Sequence, residues 1–105
     1  MEHLVSNFKG LVGEVKKGSR ASRAVIITFA TNLETGALRM MGKNESIEKE
    51  LMNIVNAAKV IIGDITKNRP LYEIIGRASA QFNTINENLK AAAAVLKYEY
   101  EEITT

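Results

Sequence analysis

A chain of 105 residues, 46% hydrophobic, has the length and apolar content of one globular domain and excludes a disordered segment. It has no cysteine, so disulfides, thiolate nucleophiles and cysteine metal sites are excluded. Fourteen basic and twelve acidic residues leave a net charge of +2, too balanced to argue for nucleic acid, and no apolar run approaches the roughly twenty residues of a membrane helix. Without a disulfide pattern or a signal peptide, a cytoplasmic protein is expected. One proline, with many Ala, Leu, Ile, Lys and Glu, points to helix throughout.

Residues 2–16 place Leu4, Phe8, Leu11, Val12 and Val15 on one helical stripe. Gly10 and Gly13 weaken this helix. Lys16 and Lys17 suit its negative end, and Gly18 suits the position after its cap. The stretch from Gly18 to Met41 organises the chain. Val25, Ile26, Ile27, Phe29, Leu33, Leu38 and Met41 fall on most sides of a helical wheel, so residues 21–41 are expected to form a central helix buried by its neighbours. Ser19 or Ser22 can cap its start. Thr28, Thr31 and Asn32 read as backbone-bonding groups, and Gly36 as a mark of close helix crossing. Gly42 and Lys43 read as its stop.

Asn44 and Ser46 are candidate caps for a third helix. Its stripe runs through Ile47, Leu51, Ile54, Val55, Ala58, Ile61, Ile62 and Ile65. Asn68-Arg69-Pro70 ends it. Arg69 is pushed from helical angles by the proline, which suits the first position of the next helix. That helix presents Leu71, Ile74, Ile75, Ala78 and Phe82. Thr84-Ile85-Asn86-Glu87 reads as a capping box opening a fifth helix with Leu89, Ala92, Val95 and Leu96. The alternative is a single long helix, because no glycine or proline separates the two. The expectation is an all-α bundle of four to five helices, one domain over residues 1–105, with short antiparallel connections.

Little catalytic chemistry is written in the chain. His3 is the single histidine and has no partner motif, and no phosphate-loop, Rossmann or zinc pattern occurs. Neither catalytic nor metal-ligating residues nor a cofactor are expected. Two basic turns at helix starts stand out: Lys17-Gly18-Ser19-Arg20 with Arg23, and Lys67-Asn68-Arg69-Pro70. Free backbone N–H groups beside cations bind anions, so Lys17, Gly18, Ser19, Arg23 and Arg69 are a candidate phosphate site if both starts share one end of the bundle. The plainer reading is that helix ends are polar and their lysines solvated.

At these two turns the sequence resembles the N-terminal helical domain of the eukaryotic translation initiation factor 2B alpha/beta/delta family. That family's archaeal initiation-factor-2B-like proteins and its ribose-1,5-bisphosphate and methylthioribose-1-phosphate isomerases carry an Arg-Gly-Ala turn before an alanine-rich helix. Lys17-Gly18-Ser19 stands there, followed by Ala21 to Leu33. They also carry an Arg-Pro-Thr-Ala loop after an amphipathic helix, where this chain has Arg69-Pro70-Leu71-Tyr72. The resemblance spans roughly residues 4–100. It implies a non-catalytic regulatory domain that contacts initiation factor 2, through its alpha subunit, and sister subunits. It also implies a share in a pocket for a sugar phosphate or nucleotide, with Lys17, Gly18 and Arg69 at the phosphate. The isomerases' Rossmann-like domain, with its catalytic cysteine and aspartate, has no counterpart in these residues, so the chain reads as an N-terminal domain alone. Two other roles follow: the helical domain of a sugar-phosphate isomerase, and a stand-alone assembly protein. In the assembly protein, residues 85–103 would pair with another copy through Leu89, Leu96 and Ile103.

Overall fold

The computed structural model describes residues 1–105 and is all-helical. Four helices follow in order: α1 (Glu2–Val15), α2 (Arg23–Met41), α3 (Glu48–Thr66) and α4 (Leu71–Leu96). Short 3-10 turns at Gly18–Arg20 and Glu45–Ile47 precede α2 and α3. None of the helices is long and apolar enough to cross a membrane.

Consecutive helices run antiparallel. Along α1 and α2, Gly10 faces Phe29 while His3 and Leu4 face Gly36. Along α3 and α4, Asn53 Nδ2 donates to Asn88 Oδ1 at 3.0 Å while Asp64 meets Arg77. In both pairs one residue number rises as the other falls. Helices α1 and α4 close the ring less extensively, with the Phe8 and Phe82 rings edge to face at 5.6 Å. One continuous core results, with Leu4, Phe8, Leu11, Ile26, Leu33, Leu51, Ile54, Ile61, Ile74, Ile85 and Leu89 nearly or wholly buried.

Helix α2 packs between α1 and α3, yet it is not covered all round. Its buried stripe is Ile26, Ala30, Leu33, Gly36 and Ala37, while Val25, Ile27, Phe29 and Met41 are half-buried and Leu38 is exposed. Two neighbours cover only part of a cylinder, so an apolar wheel does not become an enclosed helix. Gly36 fulfils the crossing read from sequence. A β-carbon there would come within 2.7 Å of the His3 ring and 2.9 Å of Leu4 Cδ2.

Expected fourth and fifth helices are one. Helix α4 runs unbroken through Thr84-Ile85-Asn86-Glu87, and the capping box does not form. Without glycine or proline the backbone ladder continues. The Thr84 carbonyl instead accepts from Asn88 Nδ2, and Glu87 from Asn83 Nδ2. Pro70 sits just outside α4 with ψ of 146°, and its carbonyl accepts the N–H groups of Glu73 and Ile74. Ser22 rather than Ser19 caps α2, accepting from the Val25 N–H. Neither Asn44 nor Ser46 caps α3. Asn44 turns back to donate to the Met40 carbonyl, and the 3-10 turn carries the chain into the helix.

Candidate functional site

The end of α1, the start of α2, the end of α3 and the start of α4 meet at one end of the bundle. Two left-handed residues shape it. Gly18, at φ 61°, turns the chain out of α1. Asn68, also at φ 61°, ends α3, with the Arg69 N–H donating to the Asp64 carbonyl and the Asn68 N–H to Ile65. This double closure is the Schellman arrangement, which favours glycine or asparagine at that position. The helix starts bearing the two basic turns are thereby brought together: Arg23 Nη1 donates to the Arg69 carbonyl at 2.7 Å.

Between the turns lies an open cleft of about 350 Å³ lined by Gly18, Ser19, Leu71, Tyr72 and Ile75. Of the five residues read from sequence, Gly18 and Ser19 line it. Lys17, Arg23 and Arg69 stand at the same end but not in its lining. The lining is largely apolar, and Tyr72 stands 75% exposed.

Three cations at this end, Lys17, Arg69 and Arg77, have carboxylate partners within the chain, while Arg23 is held by a backbone carbonyl. Lys17 Nζ is 3.0 Å from Glu14 Oε1. Arg69 Nε is 3.0 Å from Asp64 Oδ1, and its Nη1 is 3.7 Å from Glu73. Arg77 Nε is 2.7 Å from Asp64 Oδ2. Glu14 and Asp64 are buried acids, which the sequence pattern did not single out. Burial pushes the Asp64 carboxyl up, but hydrogen bonds and charge from Arg77 and Arg69 outweigh it and hold the group below the ordinary aspartate range. Glu14 is likewise lowered, first by the Ser22 N–H, which donates to its Oε2 at 2.8 Å, and then by Lys17. Glu14 thus ties the end of α1 to the cap of α2. A phosphate arriving here would compete with built-in carboxylates for Lys17 and Arg69.

Elsewhere the chain offers no reactive constellation. No group of three His, Asp or Glu side chains converges to hold a metal. The His3 ring lies against Gly36 with the Asn7 amide beside it. The pairing surface expected at Leu89, Leu96 and Ile103 is not available as such. Leu89 is wholly buried, and Leu96 and Ile103 pack on the chain's own core. Comparison with protein-family models, characterised proteins and solved structures finds no match for this chain.

Proposed function

We propose that this chain is a non-catalytic helical domain that works through protein contact, as the regulatory domain of an initiation-factor-2B-like subunit recognising the alpha subunit of initiation factor 2. One observation carries the reading. The two turns on which the resemblance rests, around Lys17-Gly18-Ser19 and Arg69-Pro70, flank a single apolar cleft with Tyr72 standing at its rim. Exposed aromatic side chains over apolar clefts are favourable protein anchors. The carboxylates on Lys17 and Arg69 favour contact over phosphate chemistry, since a phosphate ligand would have to displace them.

Titration calorimetry of the full chain against purified initiation factor 2 alpha subunit tests this. Binding is expected, weakened at least about tenfold by Tyr72→Ser at the hot spot. No heat from the unmodified chain overturns the reading. The pocket is tested apart from it, by amide shifts of Gly18 and Ser19 on addition of ribose 1,5-bisphosphate. Shifts that saturate would restore the phosphate role for Lys17, Arg23 and Arg69.

A further inference from the structure

Helix α4 stops at Leu96, although its local sequence favours continuation. Ala91 to Ala94 are the best helix formers, and neither glycine nor proline follows. The stop is made by Lys97 in the left-handed conformation, φ 56° and ψ 38°, with the Tyr98 N–H donating to the Ala93 carbonyl. A lysine takes these angles at a cost that glycine avoids.

Residues 98–105 have no regular structure, yet they are seated by specific bonds. A single side chain, Asn86 on α4, reads both main-chain groups of Ile103: Nδ2 donates to its carbonyl at 2.9 Å, and Oδ1 accepts its N–H at 3.0 Å. The Tyr100 hydroxyl donates to the same Oδ1. At the far end, Lys16 Nζ donates to the Thr104 carbonyl at 2.9 Å. Tyr100 and Ile103 pack on the core beside these bonds. Asn86 is only 3% exposed, so its amide needs a partner wherever the segment goes. Together these groups form a receptor for an extended peptide with tyrosine and isoleucine three apart.

We propose that this Asn86 groove is a peptide-binding site that takes residues 98–105 of a second copy of the chain, so that two copies exchange these segments about Lys97. Every copy carries both receptor and matching ligand, and exchange preserves the bonds made by Asn86 and Lys16 while giving up the Tyr98–Ala93 bond of the return turn. The left-handed Lys97 is required only by the return path. With α4 continued through it, that conformation is relieved twice per pair. Such exchange is a low-cost route to a dimer, favoured by concentration.

The chain has no cysteine, so single-cysteine variants of the full chain report where the segment sits. Lys16→Cys and Thr104→Cys chains are mixed, equilibrated at high concentration, joined through their thiols with a short bismaleimide, which spans the reach of the lysine side chain that a disulfide would not, and resolved by denaturing gel and mass spectrometry. The expected product is the 16–104 cross-link between chains, in excess over its random share against the 16–16 and 104–104 products. Ile103→Pro in the Thr104→Cys chain deletes the N–H that Asn86 accepts, which weakens seating in either arrangement relative to an unseated tail, so the 16–104 excess should fall toward its random share. Lys97→Gly in both chains relaxes the return turn and should reduce it several-fold. A random product distribution, or one indifferent to Ile103→Pro, overturns the proposal, as does an increase with Lys97→Gly.

Discussion

Arg77 on α4 holds Asp64 on α3 at 2.7 Å, and the same carboxylate is held from its other side by Arg69 in the turn between them. One buried acid therefore fixes the geometry of the whole α3–α4 corner. Asp64→Ala leaves Arg77 without its carboxylate and Arg69 with only the longer contact to Glu73. Since both are partly solvated, the cost is set at about 2 kcal/mol rather than that of a fully buried pair, measured by urea unfolding. The pH dependence has a fixed sign. The folded carboxyl titrates below its unfolded value, so its contribution is present above about pH 4 and is lost as pH falls through the folded value. The Asp64→Ala chain should lose less stability on acidification than the parent.

Glycines separate into two kinds. A β-carbon at Gly63 or Gly76 meets nothing within 4 Å, and both lie inside helices. Gly63→Ala and Gly76→Ala should each stabilise the fold by about 0.5–1 kcal/mol through backbone entropy and helix propensity. Gly36→Ala should destabilise by about 1 kcal/mol, because overpacking against the buried Leu4 outweighs the propensity gain. Thermal melts of the three variants give opposite signs if this division holds.

Tyr100 offers an alkaline reading. Burial pushes its hydroxyl up to about 12, the hydrogen bond at Ile103 opposes, and Glu102 adds to the rise. A raised folded value on an acidic hydroxyl means the neutral form is favoured in the fold. Its stabilisation is whole below about pH 10, the unfolded value, and disappears as pH rises through the folded one. Tyrosinate absorbance at 295 nm should show a late-titrating component, and Tyr100→Phe should remove it.

The edge-to-face pair of Phe8 and Phe82 spans the least extensive side of the bundle. Phe8 is wholly buried, so Phe8→Ala should cost about 3–5 kcal/mol by chemical denaturation. Leu38→Ala, at an exposed position, should stay within about 0.5 kcal/mol.

Periodicity made α1 and α3 legible almost to their ends, and glycine chemistry made Gly18 and Gly36 legible, because those signals are local. The length of α4 was ambiguous at Thr84–Glu87, since a capping box and an uninterrupted helix share the same residues. Four buried polar side chains, Asn7 among them, escaped notice. Glu14, Asp64 and Asn86 look like solvated helix residues until tertiary structure brings up their partners: Ser22 and Lys17, Arg69 and Arg77, Tyr100 and Ile103. The two basic turns were visible from spacing, but the carboxylates that occupy them were not, because pairing at the end of a bundle depends on how four termini meet.

The antiparallel order of the helices bears on how the chain is made. Each helix finds its principal neighbour in one adjacent to it in the chain, so most of the structure has low contact order and should form in microseconds to milliseconds. The α1–α4 seam is different. Phe8 must wait for Phe82, and the groove at Asn86 must wait for residues 98–105. Until both arrive from the ribosome, the apolar edges of α1 and α4 stand open, and that interval is when a nascent chain is most apt to meet a neighbour on the same polysome.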